Sequence, residues 1–244
     1  MSNNNNDGSN NRTVNMHNHN IDPQINSIQY DAEYWKRKYQ LSLKYPNDNT
    51  IYKYELNNIN SIKAGQYASY FTNNNYELHS FGSNFCGQLG TNMEVGSISG
   101  EFNIINGYKV VHCAVGSSHV IFLTNNNKVY AFGSNTSAQC GIERDYQHSY
   151  IKKPISVSIP TSDTIIDIKC GLFHSIIKTN INEWYSFGKN TMNMLLLPEK
   201  MGFNKRTYPP TLIKKEYVFN ITGNNNEIVD IIPGQNNTFI LQKP

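Results

Sequence analysis

Charged residues are scarce in this sequence. Asp, Glu, Lys and Arg make up 16% of its 244 residues, and 21 basic against 18 acidic side chains leave a formal charge of +3. That imbalance is too small to create the basic surface on which nucleic-acid binding depends. We therefore expect no nucleic-acid partner.

Long apolar runs and a secretory leader are also missing. No apolar stretch approaches the roughly 18 residues that a membrane span needs. The polar start, Met-Ser-Asn-Asn-Asn-Asn, lacks the charged and apolar regions of a signal peptide. We expect no membrane association and a cytoplasmic or nuclear location, not a secreted one.

The four cysteines, Cys86, Cys113, Cys140 and Cys170, include no Cys-x-x-Cys pair. None of them combines with a histidine at a recurring zinc-like spacing, so reduced, buried thiols are expected instead of a metal site. The glycines lack the Gly-x-Gly-x-x-Gly and Gly-Lys-Ser/Thr patterns of phosphate-binding loops. The sequence therefore predicts no metal and no cofactor.

Aromatic residues, in contrast, are plentiful at 12%, and most of them are Tyr or Phe. Aromatic side chains suit strands, and the low charge does not suit long solvated helices, so an all-β fold is expected.

The first 47 residues differ from the rest of the chain in composition and in the spacing of their apolar side chains. Residues 1–27 contain ten asparagines and almost no large apolar side chains, which predicts a disordered Asn-rich tail. In residues 28–47, Tyr34 and Leu41 lie near one face of a helix that Pro46 would end. This segment is predicted to be a short amphipathic helix and linker.

From about residue 48 onward the chain repeats one pattern of glycines. The same interval along the chain separates the two members of three glycine pairs: Gly65 and Gly82, Gly116 and Gly133, Gly171 and Gly188. The pairs themselves begin at nearly regular distances, and a fourth start lies at Gly234. A shared internal distance that recurs three times indicates a repeat architecture.

Each glycine pair encloses a predicted β-hairpin. The apolar run 120–123 is followed by a turn at 124–127 and by an alternating run at 128–132. Residues 72–75 and 179–182 are placed at the same turn, where asparagine tolerates the positive φ that tight hairpins require. Each unit is therefore predicted to be a small antiparallel sheet of the kind that forms a propeller blade.

The segment 77–90, Glu-Leu-His-Ser-Phe-Gly-Ser-Asn-Phe-Cys-Gly-Gln-Leu-Gly, and the run 115–119, Val-Gly-Ser-Ser-His, resemble the regulator of chromosome condensation repeat. The resemblance extends over residues 50–242. It implies a β-propeller of antiparallel blades, and proteins of this family form seven-bladed rings. With three repeats and part of a fourth, this chain would form about half of such a ring, a partial β-propeller.

The resemblance also assigns positions within each repeat. The motif positions are Gly65, Gly82, Gly87, Gln88, Gly90, Gly116, His119, Gly133, Gln139, Gly141, Gly171, His174, Gly188 and Gly234. Ala68 and Asn237 replace the histidine in the outer units. Histidines that recur in each blade are expected to be structural core or rim residues, and the two glutamines are expected to hydrogen-bond to the neighbouring blade. No catalytic residue is predicted, and the partner-binding residues are left unassigned.

The repeat domain is predicted to span 48–244, with units at about 48–100, 101–155, 156–210 and 211–244. An incomplete ring leaves open blade edges and one exposed blade face at each end. These could be covered by residues 28–56, by a second copy through self-association at the open edges, by a different chain, or by further sequence if this is a truncated product.

Three functional hypotheses stay open at the level of sequence. The first is a non-enzymatic protein–protein interaction scaffold that binds through the inter-blade loops 91–108, 142–164 and 191–227. The second, implied by the resemblance, is guanine nucleotide exchange on a small GTPase, although no segment matches the family's wedge loop. The third is a fragment or half-ring that needs a second chain.

Overall fold

The computed structural model describes residues 12–15, 39–44, 51–56, 59–96, 98–143, 149–198 and 207–244. The chain divides into two compact units, Met1–Asn60 and Ser61–Pro244. Within the described residues, no helix is long and apolar enough to cross a membrane.

The first unit contains a three-stranded sheet. Its strands are β1 (Arg12–Asn15), β2 (Tyr39–Lys44) and β3 (Ile51–Leu56), in the order β1-β3-β2. Strand β3 pairs in parallel with β1 and antiparallel with β2. All three strands precede, in the sequence, the repeated sheets described below.

This sheet corrects three expectations. The helix predicted within 28–47 is wrong at Tyr39–Lys44, which form strand β2. The tail predicted to be disordered at 1–27 includes strand β1. Residues 51–56 were predicted to open the first repeat, but they form strand β3 of the first unit. The physical reason is the alternation in Tyr-Gln-Leu-Ser-Leu-Lys, whose period of two suits a strand better than a helix. The remaining residues of the predicted tail and helix lie outside the described residues.

The second unit consists of successive antiparallel sheets, which we number as blades 1 to 4. Blade 1 contains β4 (Ile59–Ala64), β5 (Ala68–Asn73), β6 (Leu78–Ser83) and β7 (Ile98–Ile105). Blade 2 contains β8 (Val110–Val115), β9 (His119–Thr124), β10 (Val129–Ser134) and β11 (Tyr150–Val157). Blade 3 contains β12 (Ile165–Cys170), β13 (His174–Thr179), β14 (Trp184–Lys189) and β15 (Thr207–Leu212). Blade 4 contains β16 (Ile228–Pro233) and β17 (Thr238–Gln242).

In blades 1 to 3 the sheet order follows the sequence order, so that each blade is a four-stranded meander. A 3-10 turn at Thr191–Asn193 follows β14, and the helix α1 (Lys215–Thr222) connects blade 3 to blade 4. The predicted all-β fold of a partial β-propeller is confirmed.

The fourth strand of each complete blade was not predicted. β7, β11 and β15 lie inside the predicted loops 91–108, 142–164 and 191–227, and they straddle the predicted unit boundaries. No residue type recurs at the same position in the three strands. Two of them contain proline, which an edge strand tolerates because one side of its backbone needs no hydrogen-bond partner. These three strands therefore carried no repeat signal.

The hairpin turns were predicted correctly in two blades and shifted by one residue in the other. Asn127 and Asn182 have φ of 60° and 62°. In blade 1 the same position is occupied by Tyr76, with φ of 61°, because Asn73 and not Thr72 is equivalent to Thr124. A tyrosine thus holds the left-handed conformation that asparagine holds elsewhere.

Apolar side chains between the blades form two hydrophobic clusters. The larger includes Leu78, Phe122 and Ile168 from blades 1 to 3. The smaller joins blade 3 to Val218 of α1 and Ile231 of β16. All six residues of β9 are buried, because this strand lies in the middle of its sheet with a blade on either side.

Candidate interaction surface

The repeated histidines lie at the junctions between blades. His119 and His174 are both fully buried. Each ring covers the glycine three residues earlier: a Cβ at Gly116 would lie 2.1 Å from Cε1 of His119, and one at Gly171 would lie 2.2 Å from Cε1 of His174. The glycine and the histidine therefore act as one packing unit, because a side chain on the glycine would displace the ring.

Each histidine contacts a hydroxyl group of the following blade. Nε2 of His119 lies 3.0 Å from Oγ of Ser175, and Nε2 of His174 lies 3.2 Å from Oγ1 of Thr238. Ser175 donates its hydroxyl proton to the carbonyl of Gln139 at 2.9 Å, and Thr238 donates likewise to the carbonyl of Met194. We call this repeated chain of histidine, hydroxyl and carbonyl the junction network.

The junction network is structural because its protons are already committed. A hydroxyl group has one proton, and Ser175 gives it to a carbonyl, so His119 must donate from Nε2 and cannot accept that proton. Burial, and to a smaller degree the nearby His174, lowers the pKa of His119 to about 3. Burial lowers the pKa of His174 to about 4. Both rings are therefore neutral at physiological pH.

The histidine and hydroxyl of the junction network are replaced by other residues at the junction between blades 1 and 2, and the histidine is replaced in blade 4. Ala68 takes the histidine position in blade 1, and Val120 takes the hydroxyl position in blade 2, so the first junction is apolar there. In blade 4 the side chain of Asn237 covers Gly234, with Oδ1 2.1 Å from the place of a Cβ. Asn237 thus packs on its glycine as the two histidines do.

The glycines that follow each hairpin have a backbone requirement of their own. Gly82, Gly133 and Gly188 have φ between +99° and +115°, and a Cβ at Gly133 would lie 2.4 Å from the carbonyl oxygen of Ser118. Only glycine fits such a position. The other glycines of the motif that have positive φ are Gly87, Gly90 and Gly141. At four further positions the φ is ordinary and only the lack of room for a Cβ disfavours a side chain: Gly65, Gly116, Gly171 and Gly234.

The role expected for the two glutamines is wrong. Gln88 accepts a hydrogen bond at Oε1 from the backbone of Cys86, and Gln139 accepts one from the backbone of Ser137. Both side chains therefore fold the loop that carries them. Contact with the next blade is made by the backbone carbonyl of Gln139, which Ser175 reaches. Each glutamine lies two residues after the N–H that it binds, so its side chain closes a local turn and does not extend to the neighbouring blade.

Three buried asparagines, to which no role was assigned from the sequence, organise the loops after β6, β10 and β14. Asn84, Asn135 and Asn190 share one offset from the first glycine of their repeat. In every case Oδ1 accepts the backbone N–H five residues on, at 3.0 to 3.1 Å, and Nδ2 donates to a carbonyl further along the loop. The constant offset was the signal that could have revealed them.

Beyond these asparagines the loops differ, and they expose apolar side chains at one end of the blades. Phe85 and Met192 are exposed in the loops of blades 1 and 3, and Tyr67 is exposed in the turn next to the first of these loops. The backbone N–H of Ser83 donates to the carbonyl of Tyr67, which places this turn at the same end as the loop. We call Tyr67, Phe85 and Met192 the loop surface.

The titratable groups of the described residues indicate no metal site. Among those residues, no three His, Cys, Asp or Glu side chains lie close enough to hold a metal ion. All four cysteines are free, with Cys113 and Cys140 buried and Cys86 and Cys170 partly exposed. Burial raises the pKa of Cys170 to about 12, so this thiol stays protonated.

Comparison with known proteins identifies the repeat. Residues 110–139 and 126–177 match the family described as the regulator of chromosome condensation (RCC1) repeat. The ultraviolet-B receptor UVR8 of Arabidopsis thaliana is 23% identical over 164 residues, which is 67% of this chain and 36% of the receptor. The guanine nucleotide exchange factor SRM1 of Saccharomyces cerevisiae is 31% identical over 91 residues, which is 37% of this chain and 19% of that protein.

A solved structure has the same fold. The crystal structure of yeast RCC1 (Prp20) bound to Kap60 matches with a TM-score of 0.64 at 21% identity, over 80% of this chain and 44% of that one. The chain thus spans less than half the length of each of these three proteins. The family matches show regulator of chromosome condensation repeats at residues 110–177, and the blades show the fold of a partial β-propeller.

Proposed function

We propose that this chain is a non-enzymatic interaction scaffold that binds a protein partner through its loop surface. The observation that supports the proposal is a shared frame that carries different exposed side chains. A buried asparagine holds the loop in the same way in blades 1 to 3, whereas the residue after it is Phe85 in blade 1 and Thr136 in blade 2. A rigid frame with divergent loops is the usual arrangement of recognition surfaces.

The exposed side chains give this surface its chemistry. Phe85 and Met192 supply aromatic and thioether contacts of the kind enriched at interfaces. Lys189 lies at the end of β14, three residues before Met192, with its Nζ 5.2 Å from the ring centroid of Phe173. The loop surface therefore suits a partner that presents apolar groups.

The test is a set of exposed substitutions, because residues 195–197 of the third loop are buried and deletion of the loop would damage the core. Partners captured by the wild-type chain should bind at least about tenfold more weakly to the variant with Phe85→Ser and Met192→Ser. Ile181→Ser, an equally exposed change at the opposite end of blade 3, is the matched control. Equal capture by all three proteins would contradict the proposal.

A second candidate function is guanine nucleotide exchange on a small GTPase. It is supported by the similarity to the yeast exchange factor SRM1 and by the fold shared with Prp20. Such exchange needs only a surface that binds the nucleotide-free GTPase more tightly than the nucleotide-bound form. The full chain should then accelerate release of labelled GDP from one member of a panel of small GTPases, and no acceleration with any member would dismiss this function.

A further inference from the structure

The turn that joins blade 1 to blade 2 contains the single Asn-Gly pair of the chain, Asn106-Gly107. Strand β7 ends at Ile105 and β8 begins at Val110, so the pair lies in a short connection between two blades. Both residues are exposed. Gly107 has φ of +89°, and no atom lies within 4 Å of the place of a Cβ. The backbone of Gly107 is therefore open to solvent and to the side chain that precedes it.

No hydrogen bond holds these two groups in place. Within the described residues, neither the backbone N–H of Gly107 nor the side-chain amide of Asn106 has a hydrogen-bond partner. The side chain of Asn127, in contrast, donates from Nδ2 to the carbonyl of Asp163 at 3.1 Å and accepts at Oδ1 the N–H of Ile165 at 2.8 Å. Asn127 is thus fixed in its turn, whereas the amide of Asn106 is free to rotate.

A free asparagine that precedes glycine can react with its own backbone. The nitrogen of Gly107 loses its proton and attacks Cγ of Asn106, which closes a succinimide ring. The side-chain nitrogen takes up that proton and leaves as ammonia. Water then opens the ring: attack at Cγ gives aspartate, and attack at the main-chain carbonyl gives isoaspartate. Glycine favours ring closure because it has no side chain to obstruct the approach of the two groups.

We propose that Asn106 is a site of self-modification, at which the folded chain converts asparagine into aspartate and isoaspartate with water as the co-reactant. Both products place a carboxylate in the turn, and isoaspartate also adds a carbon atom to the backbone. Ile105 pairs with β6, and the N–H of Val110 donates to the carbonyl of Tyr76 at 2.8 Å. Because both flanks are anchored to blade 1, residues 106–109 must accommodate the added atom.

The experiment is incubation of the full chain at physiological temperature and neutral pH, followed by tandem mass spectrometry of its peptides. Each conversion replaces an amide NH2 by OH, and the mass increase locates the residue. Asn106 should convert at least about tenfold faster than Asn127, whose side chain is held by two hydrogen bonds and is followed by lysine. Methyl transfer from labelled S-adenosylmethionine by an isoaspartyl methyltransferase should detect the isoaspartate.

The role of the fold is tested by comparison with the chain unfolded in urea. Asn106 should convert at a similar rate in both states, because no hydrogen bond has to break before the ring closes. The rate should also rise with pH above neutrality, since the nitrogen of Gly107 must lose its proton. Conversion that is more than about tenfold slower in the folded chain would overturn the proposal, because the fold would then hold the reacting groups apart.

Two variants test the chemistry at this position. Gly107→Ala keeps the asparagine and places a methyl group beside the attacking nitrogen, so conversion should slow by at least about tenfold. Asn106→Gln, which would have to close a larger ring, should abolish it. Both changes lie in an exposed turn, so the fold should be kept, as circular dichroism can verify. Asn125→Gln, an exposed change in the turn of blade 2, is the control and should convert Asn106 at the wild-type rate.

Neither outcome depends on the partner at the loop surface. Absence of conversion at Asn106 in the wild-type chain would overturn the proposal. Equal rates in the wild type and in Gly107→Ala would do the same, since the attack by the glycine nitrogen would then not be the step that modifies the chain.

Discussion

At the residue scale, the position of a side chain in the repeat decides its role more than its chemistry does. His119 and His174 are the most evident candidates for acid–base chemistry, yet each is fully buried on a glycine and donates to a hydroxyl group whose own proton is committed. Asn135 attracts less attention in the sequence, and it fixes the course of a whole loop. Stability predictions at this scale follow for Tyr76 and Asn135.

Tyr76→Asn should stabilise the protein. Tyr76 has φ of 61°, a left-handed conformation that asparagine adopts at less cost than a tyrosine, and Asn127 and Asn182 hold it in the other blades. The free energy of unfolding should rise by about 0.5 to 1 kcal/mol. Denaturant titration measures this change, and Tyr76→Ala, which removes the ring but keeps the costly conformation, should give no gain.

Asn135→Ala should destabilise the protein by about 1 to 3 kcal/mol, because the N–H of Cys140 and the carbonyl of Ile142 would lose their buried partner. Chemical denaturation provides the measurement. Asn125→Ala, an exposed change in the turn of the same blade, is the control and should stay within about 0.5 kcal/mol of the wild type. Similar losses in both variants would refute the organising role of Asn135.

At the element scale, adjacent blades pack through glycine positions that have no room for a side chain. The junction between blades 2 and 3 brings Gly116, the ring of His119 and the carbonyl of Gly171 together, and a Cβ on Gly116 would lie 2.7 Å from that carbonyl oxygen. The two elements can approach closely only because this position has no Cβ.

Gly116→Ala should therefore separate the two blades and cost about 3 kcal/mol or more, because both the ring and a backbone carbonyl must move. Thermal unfolding followed by circular dichroism would report the loss. Gly107→Ala is the comparison, since its φ is +89° but no atom lies within 4 Å of the added Cβ. That variant has backbone strain alone, about 1 kcal/mol, and an equal cost for both would show that packing at the junction is not limiting.

How much of each element was predictable depended on whether its signal was local. The hairpins β9–β10 and β13–β14 were predicted from turn residues and from the constant interval between the glycines that enclose them. Strand β2 was mistaken for helix, because Tyr34 and Leu41 were taken at helical spacing in preference to the alternation within Tyr39–Lys44. Strands β7, β11 and β15 were read as loops, because they share no residue spacing with one another and two of them contain proline.

At the scale of the whole molecule, stability depends on pH through the buried histidines His119 and His174. The ordinary pKa of histidine is 6.5, and the folded values of about 3 for His119 and about 4 for His174 lie below it. The unfolded chain therefore binds more protons than the folded chain below pH 6.5. Their contribution is complete above about pH 6.5 and is lost as the pH falls towards 4 and then 3.

Between pH 7 and pH 5 the free energy of unfolding should fall by about 1 to 2 kcal/mol for each of these histidines. Urea titrations across this range measure the slope. The double variant His119→Asn and His174→Asn, which carries the residue that Asn237 holds in blade 4, should show a flatter dependence. Parallel curves for wild type and variant would contradict the assignment of this pH dependence to the two histidines.

The repeat itself could be read from the residues alone. Gly82, Gly133 and Gly188 end the hairpins with positive φ, and a turn residue with positive φ precedes them in every complete blade, because these requirements belong to the local backbone. The tertiary structure decided the rest. His119 finds its hydroxyl partner in the next blade, and Phe239 is exposed where Ile121 is buried. Phe239 and Ile121 are both apolar and hold the same repeat position, so packing against a neighbouring blade, which the repeat position alone does not encode, decides which of them is buried.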